Sequence, residues 1–262
     1  MMIEKLKLEG RPKIVLSVKN NKVIGPRLFD LVEFRVDLFA SHDVDSFVQG
    51  KRLMNQTPTI LTVRSKQEGG GWKGSESKRL LLYKKMIPNV SGVDIELSSK
   101  TILGDVIEDT QGQKKKVIVS YHNFDKTPSV TELEKILKKA KAAGADIVKI
   151  ATFAKDVRDI QKLARVTVEN ANQNIVTIAM GEIGALSRLF FPALGSLLTY
   201  TSFGDKTAPG QIDCRELSRL MKRFYSIEGA PGVTRTPGTR FRKPLLYPPE
   251  LRGRKNKHTL IT

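Results

Sequence analysis

The sequence predicts a closed (β/α)8 barrel of the TIM type, and three observations carry that prediction. Eight short runs with the composition of buried strands recur along the 262 residues. Helical patterns separate most of them, and the eight runs with their helices occupy about 220 residues, close to the roughly 250 usual for such a barrel. A hydrophobic fraction of 40% is enough for a sizeable core at this length. The alternative, an open doubly wound sheet, would carry a glycine-rich phosphate turn after its first strand, and Ser17-Val-Lys-Asn-Asn-Lys22 is not one.

The first strand is the apolar run Lys13–Val18. Only about a dozen residues follow before the second, broken by Gly25 and Pro26, so the first helix is expected to be irregular or missing. Strand two, Leu31–Asp37, alternates: Val32, Phe34 and Val36 share one face, Glu33, Arg35 and Asp37 the other. The same period puts Ile60, Thr62 and Arg64 together in Thr59–Arg64, Asp94 with Glu96 in Gly92–Leu97, and Ile118 and Ser120 with His122 in Lys116–His122. The sixth run is Ala145–Thr152; Ile175–Met180 and Leu197–Ser202 complete the eight. Helices are expected over Ser75–Ile87, from Thr131-Glu-Leu-Glu134, which has capping-box spacing, to a cap at Gly144, and over Lys155–Asn172, Gly184–Leu194 and Ile212–Ile227.

Residues 1–228 are therefore read as the barrel. The remainder, 229–262, holds five of the twelve prolines and eight Lys/Arg against one acid, Glu250. Such a composition buries little, so this basic tail is expected to be disordered. It contributes seven of the formal +18, which makes nucleic acid an unlikely main partner although the total charge invites that reading. The single cysteine, Cys214, permits no internal disulfide; His42, His122 and His258 have no zinc-like spacing, and no metal is expected. No apolar run reaches the roughly 18 residues of a membrane span, and Met-Met-Ile-Glu-Lys-Leu-Lys7 lacks a signal core. A cytoplasmic protein without membrane contact is expected.

Lys149 lies in the middle of a run that reads as buried on both faces. An ammonium there costs several kcal/mol unless it is paired or loses its proton, and a lysine that loses its proton is a nucleophile. Alone, it would be read as snorkelling or paired with a carboxylate. In barrel enzymes, however, chemistry sits at the carboxyl ends of the strands, and Glu33, Arg35, Arg64 and His122 fall at or near such ends with Lys149. Two arginines, an acid, a histidine and a lysine make little sense as packing; they suit an anionic, hydroxyl-rich substrate with a carbonyl group.

At these residues the chain resembles the type I 3-dehydroquinate dehydratases. Glu33-Phe-Arg35-Val-Asp37, Thr62-Val-Arg64-Ser-Lys-Gln-Glu68-Gly-Gly70, Ser120-Tyr-His122-Asn-Phe124, Asp146-Ile-Val-Lys149-Ile-Ala151, Met180 with Gly184-Ala-Leu-Ser-Arg188, and Ala208-Pro-Gly-Gln211 follow the family's motifs in order, over about residues 12–228. The resemblance implies a shikimate-pathway lyase that converts 3-dehydroquinate to 3-dehydroshikimate without a cofactor. Lys149 would form the Schiff base, His122 would move protons, and Glu68 would orient the histidine. Arg188 would grip the substrate carboxylate. Glu33, Arg35 and Arg64 would hold ring hydroxyls, the two guanidiniums favouring the neutral amine of Lys149.

Gln211 and Thr207 would belong to a closing loop, Thr207 standing where the family commonly has serine. Phe124 and Met180 would form pocket walls, and Ser17 would touch substrate. A homodimer is implied too. The rival readings are another Schiff-base barrel of the class I aldolase kind and a basic nucleic-acid-binding protein.

Overall fold

The computed structural model describes residues 12–19, 28–39, 57–204 and 207–225, all within the unit Met1–Ile227. Two expectations, the irregular first βα connection and the disordered tail over 229–262, fall outside the described residues, except at the ends of that connection.

Eight parallel strands form one sheet: β1 (Lys13–Val18), β2 (Leu31–Arg35), β3 (Thr59–Thr62), β4 (Gly92–Glu96), β5 (Lys116–Asn123), β6 (Ile147–Phe153), β7 (Ile175–Met180) and β8 (Leu198–Thr201). Each of β1 to β6 pairs with its successor, and β1 pairs with β8. The remaining edges, β7 and β8, form no ladder among the described residues; the chain there meets through Leu197 N–H to the Ile175 carbonyl (2.9 Å) and Thr177 N–H to Ser196 Oγ (3.1 Å). The sheet is thus a nearly closed barrel.

Strand alternation divides the core in two. Val15, Leu31, Ile60, Ile118, Ile147, Val176, Ile178 and Leu198 belong to a cluster that fills the barrel interior. Residues of the opposite parity, among them Leu16, Val32, Phe34, Leu61, Val93, Val117, Val148 and Ile150, pack in a second cluster with helix residues Tyr83, Met86, Val106, Leu133, Leu137 and Leu163.

Among the described residues five helices alternate with strands: α1 (Glu76–Met86), α2 (Leu103–Gly112), α3 (Val130–Ala142), α4 (Val157–Glu169) and α5 (Ser187–Phe190); α6 (Cys214–Tyr225) follows β8. The structure corrects several local expectations. Helix α2, unanticipated, buries Leu103, Val106, Ile107 and Thr110 at helical spacing, although Gly104 and Gly112 dilute its pattern. The capping box of α3 lies two residues earlier than expected, with Ser129 accepting from Glu132 N–H and Glu132 accepting from Ser129 N–H. Gly144 does follow α3 with φ of 104°, as a C-terminal glycine should. In α1 the fully buried positions are Arg79, Tyr83 and Met86, and Leu81 is exposed. Strand β2 ends at Arg35, where a 3-10 turn over Val36–Leu38 takes over, and the helix expected from Gly184 begins only at Ser187.

Candidate active site

Parallel register sets the site. Ser17 pairs with Glu33, Arg35 with Thr62, Thr62 with Asp94, Glu96 with Ser120 and Ser120 with Lys149, so neighbouring strands bring their polar residues to similar heights. All twelve residues singled out from the sequence line one cavity of about 480 Å3, counting its space open to solvent: Lys149, His122, Glu68, Ser17, Glu33, Arg35, Arg64, Arg188, Thr207, Gln211, Phe124 and Met180.

The Lys149 amine is 3.0 Å from Asp94 Oδ2 and 3.5 Å from Glu33 Oε1, and lies 4.1 Å from the centre of the Tyr200 ring. Glu33 accepts from Ser17 (2.6 Å) and Thr62 (2.9 Å), so its carboxylate is held from several sides. Asp94 accepts from Ser120 (2.7 Å) and from Arg64 (2.8 Å). Burial works to raise the Asp94 pKa, but Arg64 and Lys149 outweigh it, and the carboxyl is held far below its ordinary range.

Arg64 also approaches Glu96 (3.2 Å), which in turn pairs with Arg79 of α1 (3.0 Å). The charges form an alternating chain from helix to amine: Arg79, Glu96, Arg64, Asp94, Lys149. Its acids hold the Arg64 guanidinium well above its ordinary pKa despite burial. Arg35 is paired bidentately with Asp37 (2.9 and 2.8 Å), and Asp37 accepts from Gly71 N–H. Both guanidiniums are therefore matched by carboxylates, and the charged groups in contact with the amine are acids.

Glu68 ends a short 3-10 turn whose cap, Gly69, has φ of 75°. A side chain at Gly69 would be strained there, and its Cβ would lie 2.4 Å from the Phe124 ring. The turn delivers Glu68 Oε2 to both His122 N–H and His122 Nδ1, each at 2.9 Å, while Ser98 donates to Oε1 at 2.5 Å. Burial, only partly offset by Arg64 and Ser98, pushes the Glu68 carboxyl up to about 7. Burial, with help from Arg64 and Lys149, pushes the imidazole well below its ordinary value. The pair can take up and release a proton near neutrality while Nε2 remains available to the cavity.

Arg188, buried on α5, donates to the carbonyls of Gly210 (2.8 Å), Pro209 (3.0 Å) and Tyr200 (3.3 Å). Burial pulls its guanidinium down to about 10. A buried cation whose described hydrogen bonds all end on neutral carbonyls is suited to receive an anion. Gly210, with φ of 72°, turns the loop after β8 toward it. Gln211 Oε1 accepts from the backbone of Thr207 (2.7 Å) and Ala208 (3.2 Å), so the amide holds its own loop together.

Two site members went unrecognised in the sequence. Asp94 was visible only as half of an alternating pair with Glu96, and asking which acid could neutralise Lys149 would have found it. Tyr200 gave no signal beyond membership of a strand.

A model of the type I 3-dehydroquinase family matches residues 17–228. The 3-dehydroquinate dehydratase of Methanococcoides burtonii is 33% identical over 224 residues, 82% of this chain and 95% of that one. That of Methanocaldococcus jannaschii is 40% identical over 201 residues, 73% and 87% of the two chains. Among solved structures, the type I 3-dehydroquinate dehydratase of Clostridium difficile, determined with covalently modified comenic acid, superposes with a TM-score of 0.74 at 28% identity, covering 82% of this chain and 92% of the other.

Proposed function

The chain belongs to the type I 3-dehydroquinase family, lyases of the shikimate pathway, and from that premise we propose that it dehydrates 3-dehydroquinate through an imine on Lys149. The supporting observation is the buried amine set between Asp94 and Glu33, within one cavity with the His122–Glu68 pair and Arg188.

Arg188 receives the substrate carboxylate, which fixes the ring in the cavity. Glu33, Arg35, Arg64 and Ser17 offer partners to hydroxyl groups, and Phe124 and Met180 give the walls. The Lys149 amine adds to the ketone and water leaves, forming a protonated imine. His122 takes a proton from the adjacent carbon, and the electron pair moves into the imine as an enamine. As that pair returns, the neighbouring C–O bond breaks and the departing hydroxyl takes the proton back from His122. Hydrolysis of the imine frees 3-dehydroshikimate and the amine. Glu68 acts through His122 as a positioning residue, and Thr207 and Gln211 order the loop over the substrate. The scheme needs no metal or cofactor.

Borohydride reduction in the presence of 3-dehydroquinate tests the assignment. The expected result is a stable adduct located on Lys149 by peptide mass, with both adduct and turnover abolished in Lys149→Ala. An adduct on another residue, or undiminished trapping in the variant, overturns it.

We also propose a cytoplasmic homodimer with residues 1–228 as the catalytic barrel. The family resemblance supports the dimer, and among the described residues no helix is long and apolar enough to cross a membrane. Light scattering of the purified chain at micromolar concentration should give twice the monomer mass; the monomer mass would exclude the dimer.

A further inference from the structure

The Tyr200 side chain has no part in the scheme above, yet it lies against the nitrogen on which that scheme turns. Its ring centre is 4.1 Å from Lys149 Nζ. The residue is 3% exposed and lines the cavity with Lys149 and Glu33. Its hydroxyl is buried and meets no hydrogen-bond partner among the described residues. Burial, followed by the charges of Glu33 and Asp94, holds the phenol well above its ordinary pKa, so it remains neutral.

We propose that the Tyr200 ring face stabilises the positive charge of the covalent intermediate, and that the ring rather than the hydroxyl does this. The inference rests on the reading of Lys149 as the imine-forming residue. An ammonium has three N–H bonds to share between Asp94 and Glu33, whereas a protonated imine keeps one. Forming the imine therefore costs the nitrogen hydrogen bonds to at least one carboxylate. Attraction to an aromatic face requires a nearby cation but no N–H bond, and it strengthens where water is excluded. It persists when the carboxylate contacts are reduced. Of the other groups lining the cavity, Glu33 and Glu68 are acids that also attract a cation, whereas Arg64, Arg35 and Arg188 are cations and His122 is held neutral by burial; the Tyr200 ring is the neutral face set against the nitrogen itself. It is the ring face, at 4.1 Å, that lies against the nitrogen, while the hydroxyl meets no hydrogen-bond partner among the described residues.

The test compares Tyr200→Phe with Tyr200→Leu, each in the otherwise native enzyme and in the His122→Ala background, where the imine cannot proceed and its amount can be read directly. Borohydride-trapped adduct at fixed 3-dehydroquinate is quantified by intact mass, alongside kcat, KM and the thermal midpoint. Tyr200→Phe is expected to trap as much adduct as the native residue and to keep kcat within about threefold. Tyr200→Leu is expected to lower kcat about tenfold and trap less adduct, with KM little altered, as loss of a desolvated cation–π contact implies.

Replacing Tyr200 by ring-fluorinated phenylalanine keeps the shape while withdrawing electron density from the face. Adduct falling with the degree of fluorination supports the proposal even if the leucine variant folds poorly. Equal adduct in the phenylalanine, leucine and fluorinated proteins, or a phenylalanine variant as impaired as leucine, overturns it. If the unsubstituted protein traps nothing on Lys149, the assignment of the lysine fails instead, and the two failures are distinguishable.

Discussion

The His122–Glu68 contact makes the proton chemistry depend on which member of the pair carries the proton. With Glu68 pushed up to about 7 and His122 depressed, the pair below that pH is a neutral acid beside a neutral imidazole. The acid then donates to Nδ1, and the imidazole must carry its hydrogen on Nε2, so it cannot accept one from the cavity. As the pH rises through about 7 the carboxyl ionises, Nδ1–H donates to it, and Nε2 gains a free lone pair. The rate of proton abstraction, followed as kcat against pH or as single-turnover deuterium loss, is expected to rise through that value. Glu68→Gln should abolish this limb and lower kcat about tenfold; an unchanged profile would remove Glu68 from the proton path. His122→Ala should lower turnover about a thousandfold while leaving the Lys149 adduct trappable, and near-normal turnover would contradict its role. His122 was legible because strand alternation places it at a strand end, and Glu68 because its spacing after Arg64 resembles the family's motif. Asp94 and Tyr200 were not: Asp94 read only as half of an alternating pair with Glu96 and Tyr200 only as a strand residue, until the amine facing them is known.

Individual elements carry the site through contacts that sequence patterns conceal. Helix α1 is expected from Leu80, Leu81, Leu82, Tyr83 and Met86, and Tyr83 and Met86 are indeed fully buried, but so is Arg79, which is paired with Glu96 and hydrogen-bonded to Ser99. Removing that cation leaves Glu96 with Arg64, Ser65 N–H and the Ser99 hydroxyl, none of which replaces the lost charge on its Oε2 side. Arg79→Met is expected to lower stability by about 3 kcal/mol, as for other buried pairs that lose one partner, measured by urea unfolding. A neutral effect would show that the pair contributes little. The 3-10 turn ending at Glu68 was legible only as a glycine-rich loop, because turn geometry depends on the neighbouring Phe124 ring. Helix α2 went unread for a different reason: four buried residues at helical spacing suffice when a barrel wall waits to receive them, and the two glycines mask the pattern.

For the whole molecule, the barrel was legible because period-two runs and helical segments alternate regularly, and parallel register follows once the sheet is circular. Catalysis is expected to survive deletion of residues 229–262, with kcat within about twofold of the full chain, because all twelve candidate site residues lie before position 229. Total loss of turnover would make the basic segment part of the catalytic fold. Among the described residues seven ladders join neighbouring strands, while β7 and β8 meet without one. Arg188, on the helix that follows β7, is tied to β8 and its loop, since its guanidinium reaches the Tyr200, Pro209 and Gly210 carbonyls while its own carbonyl accepts from Thr199. A barrel laced this way yields first along its thinnest stitching. Amide deuterium uptake should accordingly begin in the β8 segment, and a carboxylate ligand drawing on the same guanidinium would alter how fast that seam breathes.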